Sequence, residues 1–324
     1  MVSRSSYEIE AGRDYPRDWA QFLEWFPDED SCRRYLERLR WPDGFVCPGC
    51  GSMEAPFRAS SDRLICRGCR HQSTVTAGTI FDKTRTPLKI WLAAVWYVTN
   101  QKSGVSALGL QRVLGFGSYE TAWTLLHRLR RAMAWPSREQ LAGVVEVDET
   151  FVAVPDPAKR LGKAKKSNNT IKALVAIAVE VPDQKGFGRV RLRQIPFPSE
   201  QYLLPFVLDA VKVGACVHTD GSAAYRSLEE HGYLRRRTVH DGSGQAPHET
   251  MPGVHRVASL LKRWLLGTHQ GAVGFEQLDY YLGEFAFRFN RRKSRSRGLI
   301  FYRLLEQAIA TPPMPYSTIV ARPG

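Results

Sequence analysis

The sequence predicts a multidomain α/β protein, a mixed sheet with flanking helices preceded by a small metal-bound ribbon and a helical region. Three observations carry this. Two CxxC knuckles, Cys47-Pro48-Gly49-Cys50 and Cys66-Arg67-Gly68-Cys69, stand near the N-terminus with fifteen residues between them. Apolar residues at helical spacing fill the stretch from Pro87 to Trp135. From Gly143 the period changes to alternating strands interleaved with helices.

Composition narrows the class before any motif does. The 324 residues are enough for two or three domains, and 43% hydrophobic content can fill their cores. A net charge of +14 points to a polyanionic partner. No run of eighteen apolar residues is present, which argues against a membrane span. The first ten residues hold no apolar signal core, so a cytoplasmic address is expected, and there paired cysteines favour metal over disulfide.

The N-terminal segment, residues 1–40, reads as helical from about Trp19 to Leu39. Residues 41–81 hold the two knuckles, whose spacing suits a four-thiolate zinc ribbon with Cys47, Cys50, Cys66 and Cys69 as ligands. Four protein ligands close the coordination sphere, so the zinc is structural. Cys32 and Cys216 lie outside both knuckles and read as buried thiols.

Residues 85–138 read as helices broken at Ser103-Gly104 and at Gly115-Phe116-Gly117. The second break separates a short helix ending at Leu114 from one beginning at Tyr119, a helix-turn-helix pattern. Ala107, Leu110, Leu114, Ala122, Leu125, Leu126 and Leu129 would form the shared apolar face. Arg128, Arg130 and Arg131 would then lie near DNA phosphates.

Residues 141–300 carry the strand-helix alternation. Strands are expected at 143–152, 171–181, 188–197 and 215–219, with a helix from Glu200 to Val211. Asp148 lies in the first strand, where it shares a face with Glu146 while Val145 and Val147 occupy the other. Asp220 ends the last strand, followed by Gly221-Ser222. If those two strands are parallel neighbours, both carboxylates meet at one end of the sheet. After thirty-four intervening residues, His255, Ser259 and Lys262 share one helix face by their spacing of four and three. Two strand-end carboxylates with a third polar group on a later helix can hold two divalent cations for polynucleotidyl transfer.

A run from Arg288 to Arg297 carries Arg288, Arg291, Arg292 and Lys293 among its cations, and Lys159, Arg160, Lys163, Lys165 and Lys166 form another cluster. The first is expected to meet DNA backbone, with salt-dependent binding. Residues 301–324 read as a C-terminal helix and a Pro-rich tail.

In its knuckles, in Val145-Glu146-Val147-Asp148-Glu149-Thr150, in His218-Thr219-Asp220-Gly221-Ser222-Ala223-Ala224-Tyr225 and in Leu260-Leu261-Lys262-Arg263-Trp264, the chain resembles bacterial insertion-sequence transposases of the DDE superfamily. The similar group is insertion sequence 1595 (ISXO-two-like), and Tyr281-Leu282-Gly283-Glu284-Phe285 completes the match. The resemblance implies a ribonuclease H-like catalytic domain and Mg2+- or Mn2+-dependent cleavage and transfer at an element's terminal inverted repeats. It also implies double-stranded DNA, both element ends and target, as partner, a homodimer or higher oligomer on that DNA, and a place at the bacterial nucleoid.

Residue by residue, Asp148 and Asp220 match the two metal-binding aspartates, His255 the third position and Lys262 the basic residue two turns on. Lys262 and Arg263 are expected at DNA phosphate. His255 departs from the glutamate that many related transposases carry, and imidazole is a softer ligand than carboxylate. Three roles are open to it: a manganese ligand, a contact to the scissile phosphate, or a proton carrier. Glu249 and Glu284 are the alternative carboxylates. A catalytically inactive or domesticated DNA-binding descendant is the competing reading, and a repair or RNA nuclease a third.

Overall fold

The computed structural model describes residues 8–59, 62–134, 139–156, 170–182, 186–238 and 250–320. They fall into two compact units: the chain up to Met133 together with Ser294 onward, and Ala134 to Lys293.

The first unit opens with two helices where the sequence suggested one. Helix α1 (Trp19–Trp25) starts at Asp18, whose carboxylate accepts from the Gln21 amide at 2.9 Å. Helix α2 (Glu29–Arg40) restarts after Pro27 with a capping box in which Asp28 and Ser31 bond each other's backbone. Proline cannot continue the ladder and aspartate is a strong cap, so the break is built from adjacent residues. A three-stranded antiparallel sheet follows, with strands β1 (Phe57–Arg58), β2 (Leu64–Ile65) and β3 (Gln72–Ser73) in that order. Then come helices α3 (Leu88–Asn100), α4 (Ala107–Leu114) and α5 (Tyr119–Met133). Ser106 caps α4 by accepting from Gly109, and Gly115 ends it at φ 68°, a left-handed conformation natural to glycine.

The second unit is a five-stranded mixed sheet with helices on both faces. Its strands are β4 (Val144–Pro155), β5 (Thr170–Glu180), β6 (Val190–Ile195), β7 (Cys216–Thr219) and β8 (Leu234–Arg237), in the order β6-β5-β4-β7-β8. Strands β4, β5 and β6 pair antiparallel; β7 pairs parallel with both β4 and β8. Helix α6 (Glu200–Ala210) leads into β7, and helices α7 (Pro252–His269) and α8 (Leu278–Asn290) follow β8.

Strand β4 changes its buried face along its length. Val145 and Val147 pack in one core with Leu203, Phe206 and Val207 of α6. Val152 and Val154 pack in the other with Val257 and Leu261 of α7 and Leu282 and Phe285 of α8. Strand alternation then puts Glu146, Asp148 and Thr150 on the face of α7. On β4 itself that face turns apolar only beyond them, at Val152 and Val154.

The chain returns to the first unit with helices α9 (Arg297–Ala310) and α10 (Tyr316–Val320). Phe301 of α9 sits among Phe22, Trp96 and Tyr35, with ring centroids 5.8, 5.4 and 6.3 Å away. Gly298 lies so close to the Pro16 carbonyl that a Cβ would stand 2.0 Å from its oxygen.

Candidate active site

Strands β4 and β7 pair as Val144 with Cys216, Val145 with Val217 and Glu146 with His218. Continuing this register by two residues brings Asp148 level with Asp220. Both carboxylates are half-buried. Asp148 Oδ1 accepts from the Glu149 amide at 2.8 Å, and Asp220 Oδ1 from the Ser222 amide at 2.9 Å. Glu149 projects to the opposite face, where the Tyr225 hydroxyl donates to its Oε1 at 2.6 Å. Burial pushes the Glu149 carboxyl up to about 7, and the nearby Asp148 and Asp220 charges push the same way against the Tyr225 bond. Asp148 and Asp220 offer carboxylate oxygens, hard donors of the kind a divalent cation prefers, while Glu149 lies behind them on the other face.

Helix α7 meets strand β4 with its N-terminus at Glu146, two residues before Asp148. Val254, Val257, Leu261 and Leu265 are buried in the core, so the helix presents half-buried His255 and exposed Ser259 and Lys262 on another side. Arg256 and Arg263 are exposed as well. The helix has no side-chain cap of its own at Met251. Instead Glu146, 3% exposed, reaches from β4 and accepts from the Val254 amide at 2.9 Å. Burial raises the Glu146 carboxyl, while the Val254 and Gly253 amides and Arg236 act to lower it.

The two alternative carboxylates stand differently. Glu284 is buried in α8 and pairs with Arg288 at 2.8 Å, so its charge is already compensated inside the core. Glu249 lies outside the described residues, as do Lys159, Arg160, Lys163, Lys165 and Lys166. Among the cations expected at DNA, several make contacts within the fold. Arg130 is 2% exposed on α5, with its guanidinium 3.4 Å from the Val105 carbonyl. It follows the helix face that carries Leu126 and Leu129 into the interior. Arg291 and Arg292 lie over the Phe287 and Phe289 rings at 3.9 Å, and Arg292 also donates to the Gly188 and Phe187 carbonyls. Lys262, Arg263 and Lys293 are exposed. Arg128 is half-buried and lines a groove of about 560 Å³ with Lys83, Arg85, Ser118, Thr121 and Thr124.

Sequence reading missed the buried Glu146 as the group that meets α7, and Arg236 as a charge near it. Glu146 was visible as sharing the Asp148 face, but not as the cap of α7. Arg236 is exposed on β8 in register with His218 and on the same face. Its strand, Leu234-Arg235-Arg236-Arg237, has no apolar alternation to signal it.

The four knuckle cysteines form the one group among the described residues with three or more potential ligand atoms within 4.8 Å of one another. Cys47 and Cys69 sulfurs are 3.7 Å apart, and so are those of Cys50 and Cys66. Zinc–sulfur bonds of about 2.3 Å in a tetrahedron require sulfurs about 3.8 Å apart, so the cluster fits structural zinc.

Residues 140–290 match the family described as ISXO2-like transposase domain, and residues 27–72 match the transposase zinc-ribbon domain. A protein of Halobacterium salinarum, named as an uncharacterized protein in transposable element ISH50, is 27% identical over 281 residues, or 82% of this chain and 92% of that protein. Among solved structures, a chain of the simian T-cell lymphotropic virus intasome in complex with PP2A regulatory subunit B56 gamma is 14% identical. It aligns over 54% of this chain with a TM-score of 0.28, and this chain spans 63% of that one.

Proposed function

We propose that this chain, a member of the ISXO2-like transposases with a transposase zinc ribbon, binds the terminal inverted repeats of an insertion sequence and catalyses DNA strand cleavage and strand transfer. One observation supports the reading: the β4–β7 register, which continued by two residues sets Asp148 level with Asp220, on the strand whose Glu146 bonds the N-terminus of the helix bearing His255. We read the mixed sheet as ribonuclease H-like and the α4–α5 pair as a helix-turn-helix.

In this reading Asp148 and Asp220 hold divalent cations by their carboxylate oxygens. Bound Mg2+ or Mn2+ supplies Lewis acidity to the phosphodiester and lowers the cost of charge on the attacking and leaving oxygens. The backbone bonds from Glu149 and Ser222 fix each aspartate's rotamer before substrate arrives. His255 completes the site as ligand, phosphate contact or proton carrier, and Lys262 binds the DNA backbone two turns further along the same side of α7. The ribbon and the α4–α5 pair bind the element ends, with Arg128 and the groove beside it at the backbone.

The test is cleavage of DNA carrying the cognate ends in Mg2+ or Mn2+. Asp148→Ala and Asp220→Ala should each lower the rate at least about 10²-fold, roughly 2.7 kcal/mol or more of transition-state stabilisation, with end binding retained. If the wild-type protein never cuts those ends and Asp148→Ala binds them equally well, the enzyme reading fails. A non-catalytic DNA-binding descendant would then stand, and imidazole at the third position is the observation that favours it.

A further inference from the structure

We propose that Glu146 is a positioning residue for strand cleavage: its buried carboxylate docks the N-terminus of α7 onto β4 and so sets where His255 stands relative to Asp148. This rests on the transposase reading above.

Most helices satisfy their first amides with a cap from the preceding residue. Met251 has no side-chain oxygen for the purpose, and Pro252 at the first position only removes one donor. The cap comes instead from 108 residues earlier, through the 2.9 Å bond from the Val254 amide to Glu146 Oε2. A local serine or aspartate would satisfy the same amide without tying the helix to anything. Burying a carboxylate costs several kcal/mol unless it is well compensated, so a long-range cap is an expensive way to stabilise a helix and a direct way to place one.

The placement matters because of what lies on either side of that bond. Asp148 is two residues along the strand from Glu146, about 6.6 Å at ordinary strand rise. His255 is the residue after Val254. Strand aspartate and helix histidine are therefore joined through three peptide steps and one hydrogen bond, with little slack. Gly253 completes the joint from the helix side: a Cβ there would stand 2.8 Å from Glu146 Oε2 and 3.2 Å from its carboxyl carbon. A methyl there would have to push the Glu146 carboxylate aside.

Two substitutions perturb the joint from opposite sides. Glu146→Ala removes the carboxylate, and Gly253→Ala pushes against it. Each should lower kcat for end cleavage about 10²-fold, the cost of displacing a reacting group by about 1 Å, with KM for the ends unchanged. Glu146→Gln keeps an oxygen facing the Val254 amide and should retain most of the rate. In the Glu146→Ala background the methyl at position 253 enters vacated space, so the double variant should be no slower than Glu146→Ala alone. The proposal is overturned if both single variants melt earlier yet cut at the wild-type rate per folded molecule, or if Glu146→Gln is as slow as Glu146→Ala. Should Glu146→Ala not fold, Gly253→Ala against Glu146→Gln decides by the same criteria. Wild-type protein inert on its ends would instead remove the transposase reading itself.

Discussion

At the scale of single residues, the site turns on which side chains are committed elsewhere. Glu284 is bound to Arg288 inside α8, and removing one partner of a buried ion pair costs about 3–5 kcal/mol. Glu284→Ala should accordingly lower the melting temperature sharply, and at a temperature where the variant is folded it should still cleave. A folded but inactive Glu284→Ala would make that carboxylate the third ligand. His255→Ala, by contrast, should lower strand transfer at least about 10²-fold with melting and end binding unchanged. Inactive Glu249→Ala beside active His255→Ala would move the third position to Glu249. The places of Asp148 on a strand and of His255 on a helix were legible in sequence because strand alternation and helical spacing are local patterns. Glu146 and Tyr225 were not legible as partners, since the bonds from Val254 to Glu146 and from Tyr225 to Glu149 join residues far apart in the chain.

At the scale of elements, the zinc ribbon is the piece with least support of its own. Its buried core is Phe45, Cys47, Leu64 and Cys66 with Trp41 packed against it, and its three strands are two residues each. So small a core cannot offset the backbone entropy of forty residues. Zinc binding, worth roughly 10–16 kcal/mol in comparable peptides, closes the gap. Chelation or Cys50→Ser should therefore expose the segment around residues 45–73 to protease while the mixed sheet stays protected. A ribbon as resistant without zinc as with it would remove the metal from its fold. Spacing alone announced this element, because two knuckles are a covalent pattern. Strand β8 went unannounced: it is held by backbone bonds to β7, such as the Leu234 amide to the Ala215 carbonyl at 3.0 Å, and three successive arginines carry no strand period. The break between α1 and α2 was missed for a different reason, since aromatic residues on both sides of Pro27 keep the apolar spacing running through it.

At the scale of the whole molecule, a net charge of +14 is a single number that hides two populations of cations. Arg130 is buried against the Val105 carbonyl, Arg288 is paired with Glu284, and Arg292 is anchored to the Phe187 and Gly188 carbonyls. Lys262, Arg263 and Lys293 are exposed. Each phosphate neutralised releases condensed counterions, so a cation that meets DNA adds about 0.9 to the slope of log affinity against log salt. A cation held by its own chain adds nothing. Lys262→Ala, Arg263→Ala and Lys293→Ala should each flatten the slope by about one while leaving the melting temperature within about 1 °C. Arg130→Ala and Arg288→Ala should do the reverse, lowering melting with the slope intact in the folded protein. The measurement is end binding across a salt series beside thermal unfolding of the same five variants. Equal slopes for both groups would mean that exposure in the free protein does not identify the DNA path, and the charge would then act only as a diffuse attraction.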